Sequence, residues 1–148
     1  MTRAAIDGRL DLDRETFDAL VAHARSDSPY EVCGLLAGSN GAVAGHYRIP
    51  NAARSMTYYN MDPKSLLRAL REIDDAELDV LAIYHSHTHT EAFPSATDVE
   101  LAAYPDAVYL IVSLQDDEPV LRGFNIREGR ITERVLTVGG EELATGPR

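Results

Sequence analysis

Hydrophobic residues recur every three or four positions in parts of the chain, and this spacing predicts amphipathic helices. Asp13 and Asp62 are residue types that cap helices, and the proline after Asp62 suits a first helical position. The predicted helices lie between Asp13 and the Ser-Asp-Ser-Pro segment 26–29, between Asp62 and about Ala76, and between Ser95 and about Ala103.

Short apolar runs bounded by turn-forming residues predict β-strands. These runs cover residues 30–38, 43–49, 78–84, 107–114, 120–126 and 131–138, with a further short strand near 9–12. Residues 51–61 have an irregular pattern, and the polar segment 139–148 is predicted to fray. Helices and strands are mixed without regular alternation. We therefore expect residues 1–148 to form one α+β or α/β/α domain, a mixed β-sheet flanked by helices.

The composition indicates an acidic protein of one domain. The chain has 148 residues, a net charge of −10 and a single cysteine, Cys33. A negative field disfavours nucleic acid as a partner. No apolar run reaches the roughly 20 residues that span a bilayer, and the first residues lack the apolar core of a signal peptide, so no membrane association is expected. One cysteine allows no internal disulfide, which fits the cytoplasm.

Two histidines and one carboxylate form a candidate metal site. His85 and His87 follow the strand predicted at 78–84, and side chains two positions apart on an extended segment leave the same face. Asp98 is a carboxylate ligand eleven positions after His87. Three protein ligands leave one position of a four-coordinate Zn²⁺ open, as in catalytic zinc sites. The pattern therefore predicts a zinc hydrolase.

Each of these residues also has a purely structural interpretation. Ser95 and Asp98 form a Ser-x-x-Asp pattern that is typical of a helix cap, and the two roles can coexist. The histidine pair can be solvated polarity at the end of a strand. His89 continues the alternation and is an alternative third ligand, although it falls where a loop is predicted to begin.

Glu31 is the candidate general base. It precedes the apolar residues 32–37, where an ionised carboxylate is costly unless it has a partner. Burial raises the pKa of such a group and a nearby cation lowers it, so the balance of the two sets its basicity. The alternative is a solvent-facing residue at the start of the strand.

The other reactive or aromatic side chains are assigned to packing. Cys33 is predicted to be a small buried residue and not a nucleophile. No site for an organic cofactor is identified. The residues assigned to packing are His23 and His46, at the surface or the edge of the core, and Tyr58, Tyr59 and Met61, for which the lining of a substrate groove is the alternative.

Five positions together resemble the motif of the JAMM (MPN+) metalloproteases, an upstream Glu followed by His-x-His and Ser-x-x-Asp at a fixed distance. These positions are Glu31, His85, His87, Ser95 and Asp98. Residues 31–38 also resemble the family's first core strand. The resemblance implies a curved mixed sheet flanked by helices, a JAMM/MPN-like and cytidine-deaminase-like sandwich. It further implies one Zn²⁺ on the histidines and the aspartate, with the glutamate as general base and the serine donating to the oxyanion.

Within that family, the chain is most similar to short actinobacterial members, the CysO-cysteine peptidases. The similar segments are 84–88, 90–95, 97–98 and 105–109. Those enzymes release cysteine from a ubiquitin-like sulfur carrier protein during cysteine biosynthesis. The resemblance therefore implies a carrier with a C-terminal Gly-Gly as the partner. Thr88 stands where deubiquitinating members commonly have proline, which weakens any inference that ubiquitin is the substrate.

Several alternatives stay open at this level. The chain could deconjugate another ubiquitin-like protein, or it could be a metal-free scaffold of the same fold. Metal storage or sensing is a third alternative, which the single cysteine and the open coordination position disfavour. The oligomeric state is also open, with a homodimer among the alternatives.

Overall fold

The computed structural model describes residues 9–145, which form eight strands and three helices. The strands are β1 (Arg9–Leu12), β2 (Cys33–Ser39), β3 (Ala42–Ile49), β4 (Asp79–His87), β5 (Val108–Ser113), β6 (Val120–Arg127), β7 (Arg130–Val138) and β8 (Glu141–Glu142). The helices are α1 (Arg14–Asp27), α2 (Pro63–Asp75) and α3 (Ala96–Leu101).

One sheet contains these eight strands, in the order β1-β3-β2-β4-β5-β6-β7-β8. β4 and β5 run parallel, as does β1 with β3 and with β7, whereas the other neighbours are antiparallel. Because β1 pairs with both β3 and β7, the sheet curves until its two sides meet. The expected curved, mixed sheet is therefore confirmed.

Apolar residues form a core on each face of the sheet. Adjacent strand residues enter different clusters: Leu36 and Tyr84 pack with residues of α1, whereas Leu35 and Ile83 pack with residues of α2. Val99 of α3 joins the cluster that contains α2. The helices thus flank the sheet on both faces, as predicted.

The two long helices begin where the sequence predicts. Asp13 Oδ1 accepts a hydrogen bond from Thr16 N at 2.8 Å, and Asp62 Oδ2 accepts one from Ser65 N at 3.0 Å. Each aspartate satisfies an N–H group that has no partner within its own helix. No helix in the range 9–145 has both the length and the apolar character needed to cross a membrane.

Three predicted element boundaries were wrong. β2 begins at Cys33 and not at residue 30, because the N–H of Glu31 bonds to a loop carbonyl and not to a neighbouring strand. β4 continues through His87, since β5 pairs with it over its whole C-terminal half. α3 ends at Leu101, because the N–H groups of residues 103 and 104 donate to the hydroxyl of Tyr109.

The segment predicted to fray is partly paired. Glu141 and Glu142 form β8 against β7, and the N–H of Leu143 donates to Leu136 O at 2.9 Å. Gly139 and Gly140 make the tight connection with φ values of +60° and +87°, which glycine adopts without strain. For this stretch the prediction was wrong, while residues 146–148 lie outside the described residues.

A buried polar cluster lies on the α1 side of the sheet. Tyr84 Oη is 2.7 Å from His23 Nδ1 and 2.8 Å from His46 Nε2. Gly34 makes room for this ring, because a Cβ there would lie 2.4 Å from it. Burial and the charge of Arg48 lower the pKa of both histidines to about 4, so they are neutral at pH 7. His23 is buried and His46 is half-buried, so the pair lies at the edge of the core, within the predicted range.

Candidate metal centre

The alternation of β4 brings the two candidate histidines together. His85 and His87 lie two positions apart within the strand, so both rings leave the face that also carries Ile83. Both are buried, with exposed fractions of 1% and 4%. Because the strand is extended through His87, the backbone itself sets the spacing of the two rings.

Asp98 reaches the same point from the first turn of α3. Its Oδ2 lies 3.1 Å from His85 Nε2 and 3.0 Å from His87 Nε2, and the two nitrogens are 3.2 Å apart. Ligand atoms 2.0–2.2 Å from a tetrahedral zinc ion are separated by about 3.3–3.6 Å. The three atoms are therefore close to the spacing that a single zinc ion requires.

The bonds of His87 determine which of its ring nitrogens carries a proton. Nδ1 lies 2.8 Å from the backbone carbonyl of Glu91, which can only accept, so Nδ1 holds the proton. In a neutral ring, Nε2 then directs a lone pair at Asp98 Oδ2. These groups repel one another unless a second proton or a metal ion lies between them. Histidine ligands of metals are commonly oriented in this way through the other ring nitrogen.

The three groups also influence one another's pKa. Burial lowers the pKa of His85. Burial alone would raise the pKa of Asp98, but the hydrogen bonds with His85 and His87 hold it well below its usual range. Burial also opposes protonation of His87, but the bonds to Asp98 and to the Glu91 carbonyl, with the negative charges of Asp98 and Glu31, together raise the pKa of His87. The ionised carboxylate of Asp98 and the neutral ring of His85 are forms that bind metal ions, whereas His87 would bind one after losing the proton that its raised pKa favours.

Ser95 and Asp98 form a reciprocal cap on α3. Ser95 Oγ accepts a hydrogen bond from Asp98 N at 3.0 Å, and Asp98 Oδ2 accepts one from Ser95 N at 2.9 Å. The oxygen that faces the histidines is thus held by the backbone of the helix start. Asp98 therefore caps the helix and approaches the histidines at the same time, so the two interpretations offered by the sequence are compatible.

Glu31 lies next to this cluster and is buried, with 4% of its surface exposed. Burial raises its pKa from 4.5 to about 7. The charge of His87 lowers this pKa slightly, and the charge of Asp98 raises it slightly. Among residues 9–145, Glu31 Oε1 and the Nδ1 of His85 are the two buried side-chain atoms without a hydrogen-bond partner. Its alternative assignment, a solvent-facing residue, was wrong, because the side chain points away from solvent.

The two remaining candidates lie outside the cluster or have a packing role. His89 is exposed and bonds to Thr88 Oγ1 at 2.9 Å, apart from the three converging side chains. Cys33 is fully buried and donates to Ile49 O at 3.3 Å. Burial raises the pKa of its thiol to about 12, which makes it a poor nucleophile.

A cavity of about 850 Å³ opens beside the cluster, between α2 and the segment after α3. The ring of Tyr59 lines it and also stacks on the ring of His85, with centroids 4.7 Å apart and planes inclined by 26°. Tyr58 and Met61 line the same cavity, while Tyr59 and Met61 also pack against the core cluster beside α2, as predicted. The sequence did not reveal the stacking, because an aromatic residue in an irregular segment has no periodic pattern.

Comparison with known families gives a match over most of the chain. A family model for prokaryotic homologs of the JAB domain matches residues 13–127. The CysO-cysteine peptidase of Mycobacterium tuberculosis is 47% identical over 124 residues, 82% of this chain and 85% of that protein. The desampylase of Haloferax volcanii is 40% identical over 112 residues, 71% of this chain and 81% of that protein.

Solved structures give the same fold. A protein from Desulfitobacterium hafniense superposes with a TM-score of 0.81 at 33% identity, over 89% of this chain and 94% of that one. A JAB1/MPN domain protein from Archaeoglobus fulgidus superposes with a TM-score of 0.59 at 21% identity, over 88% and 97% of the two chains. The second likeness concerns the fold alone.

Proposed function

Because the chain belongs to the family of prokaryotic homologs of the JAB domain, we propose that it is a zinc-dependent hydrolase that releases cysteine from a ubiquitin-like sulfur carrier protein, in cysteine biosynthesis. The observation that carries the proposal is the convergence of His85 Nε2, His87 Nε2 and Asp98 Oδ2 beside the buried carboxylate of Glu31. The 47% identical peptidase supports the choice of substrate.

His85, His87 and Asp98 are proposed to hold one Zn²⁺. Two imidazoles and a carboxylate suit zinc, and in the neutral form of His87 the lone pair of Nε2 points at Asp98 Oδ2, where a cation would relieve the repulsion. When bound, the ion would supply Lewis-acid chemistry, which polarises a carbonyl group and acidifies water.

Glu31 is proposed to carry the proton. Its pKa, which burial raises to about 7, is lowered again by a bound cation, since positive charge favours the carboxylate. Glu31 accepts a proton from the attacking water and passes one to the departing amine nitrogen. The carbon–nitrogen bond breaks, the hydroxyl stays on the carbonyl carbon, and the carrier ends in a free glycine carboxylate.

Ser95 is proposed to stabilise the carbonyl oxygen as negative charge develops on it. Its Oγ accepts from Asp98 N, so the hydroxyl hydrogen remains available to donate. Because the serine is held at a helix cap, its donor is oriented before the substrate binds. Loss of one such donor typically costs about 3–4 kcal/mol of transition-state stabilisation.

The cavity beside Tyr59 supports an extended carrier tail as the substrate. Its wall is mainly apolar, and Tyr59, which lines it, stacks on His85. Apolar side chains of the tail would occupy it, while a terminal Gly-Gly would fit the narrow approach to the buried histidines. We place the reaction in the cytoplasm, where a free buried thiol such as Cys33 and a cysteine product stay reduced.

A second candidate function is removal of a ubiquitin-like protein from a lysine side chain. The 40% identity to the desampylase supports it. Both reactions cleave the amide that follows the modifier's last glycine, and they differ in the amine that leaves. A metal-free scaffold is disfavoured, because all five positions of the motif are present.

The test uses a sulfur carrier that bears a C-terminal cysteine, and intact mass spectrometry of the products. We expect the carrier to lose the mass of one cysteine residue, chelator to stop the reaction, and Glu31→Gln to leave only a small residual rate. A lysine-linked conjugate is the second arm. Cleavage of only that conjugate would favour the second candidate function, removal of a ubiquitin-like protein from lysine. Cleavage of neither substrate would overturn the proposal.

A further inference from the structure

The irregular segment 51–61 is a closed loop that lies between Glu31 and His85. Asn51 and Met61 form an isolated bridge at its base, where Ala52 N also donates to Asn60 O at 2.8 Å. The loop carries Tyr59, whose ring stacks on His85. Its conformation therefore affects a candidate metal ligand directly.

The side chain of Asn51 fills the inside of this loop with four hydrogen bonds. Its Oδ1 accepts from Ala53 N at 3.0 Å and from Asn60 N at 2.9 Å. Its Nδ2 donates to Glu31 O at 3.1 Å and to Tyr58 O at 3.3 Å. A carboxamide has two donor hydrogens and two acceptor lone pairs, so its bonding capacity is fully used.

Glu31 depends on this loop for its backbone position. It precedes β2, and its N–H donates to Ser55 O at 2.9 Å while its carbonyl accepts from Asn51 Nδ2. Both backbone polar groups of Glu31 thus bond to the loop. The next residue is fixed to β4, since Val32 N donates to Ser86 Oγ at 2.9 Å. The backbone from which the buried carboxylate extends is therefore held from two sides.

We propose that Asn51 is a positioning residue that places Glu31 for proton transfer. The inference rests on the proposed function, because it gives Asn51 a role only through the proposed base. One carboxamide links the backbone of Glu31 to Tyr58 and Asn60, the two neighbours of Tyr59. A displacement of about 1 Å in a catalytic group can cost on the order of a hundredfold in rate.

The chemistry of the side chain explains why asparagine is needed. Aspartate has nearly the same shape and keeps the acceptor for Ala53 N and Asn60 N. It has no hydrogen to donate, so the carbonyls of Glu31 and Tyr58 would face a carboxylate. Asn51→Asp therefore removes the two donor bonds, including the one to Glu31, and leaves the two acceptor bonds.

The test is a double-mutant cycle on the carrier–cysteine substrate, with the zinc-loaded enzyme in excess over substrate. We expect Asn51→Asp to lower the single-turnover rate tenfold to a hundredfold in the wild-type background. In the Glu31→Gln background it should change the residual rate less than threefold, because the group that it positions is already lost. Zinc content should stay at the wild-type value.

Asp62→Ala is the matched control, since Asp62 caps α2 next to the loop and bonds to Ser65 and not to Glu31. It should lower the thermal midpoint and leave the rate within threefold of wild type. Equal rate losses from Asn51→Asp in both backgrounds, or no loss in either, would overturn the inference. An inactive wild-type enzyme would instead count against the proposed function.

Amide hydrogen exchange of the wild-type chain tests the loop without any substitution. The N–H groups of Ala53 and Asn60 donate to Asn51 Oδ1, in a segment without regular secondary structure. We expect them to exchange at least a hundredfold more slowly than in an unfolded chain. Unprotected amides at these positions would contradict the proposed ordering of the loop by Asn51.

Discussion

At the scale of single residues, the burial of Glu31 lowers the stability of the fold when the carboxylate is charged and makes it a stronger base. The residue is 4% exposed, one of its carboxylate oxygens has no hydrogen-bond partner, and burial raises its pKa to about 7. A group with a raised pKa stabilises the fold when protonated and destabilises it when charged. The same property makes Glu31 a suitable base near neutral pH.

Glu31→Gln should therefore stabilise the metal-free protein at high pH. The folded pKa is about 7 and the ordinary value is 4.5, so the wild-type chain loses stability as pH rises between these values. We expect the advantage of the variant in unfolding free energy to grow by roughly 2–3 kcal/mol from pH 5 to pH 8. Urea unfolding with chelator at both pH values measures it. Exposed Glu118→Gln, the control, should give no such change.

Single residues differed in how far the sequence could predict them. The pairing of His85 and His87 followed from strand alternation, which is a local rule, whereas the capping pattern predicted the helix start at Ser95 and not the approach of Asp98 to the histidines. The contacts of Tyr59 and Asn51 could not be predicted, because they are made by an irregular loop. The carbonyl of Glu91 that orients His87 has no signal in the sequence at all.

At the scale of elements, α3 is short, and Ser95 and Asp98 at its start both cap the helix and belong to the proposed site. The helix has six residues, too few to be stable by itself, and its cap uses the same carboxylate oxygen that faces the histidines. Changes at Ser95 therefore act on stability and on the proposed reaction, and the two effects need to be separated.

Ser95→Ala should cost about 1 kcal/mol of stability through loss of the cap. It should also lower kcat by about a hundredfold to a thousandfold, because the proposed oxyanion donor is lost. Asp13→Ala is the matched control, since Asp13 caps α1 on the other face of the sheet. It should cost similar stability and leave kcat unchanged. A Ser95→Ala enzyme with kcat within threefold of wild type would remove Ser95 from the mechanism.

Among the elements, type was predicted better than extent. The start of β2 was wrong because Glu31 bonds to a distant loop, and the end of α3 was wrong because Tyr109 binds two of its following N–H groups. Both boundaries are set by tertiary partners, which local propensity does not contain. The caps at Asp13 and Asp62 were predicted because a cap is a local interaction.

At the scale of the whole molecule, the sheet brings the parts of the proposed site together. β1 pairs with both β3 and β7, so the sheet curves around the core, and β4 lies between β2 and β5 in its middle. The sequence indicated the mixed sheet and its flanking helices, but the pairing of β1 could not be read from it. That pairing joins segments more than a hundred positions apart, such as Arg9 and Val135.

Metal binding is the property on which the whole account depends. The measurement that tests it most directly is native mass spectrometry of the protein after chelator treatment, reloading with Zn²⁺ and dialysis. We predict one zinc ion per chain for wild type and for His89→Ala, whose side chain lies outside the cluster, and none for His87→Ala. A wild-type chain without zinc, or His87→Ala with a full zinc ion, would contradict the account.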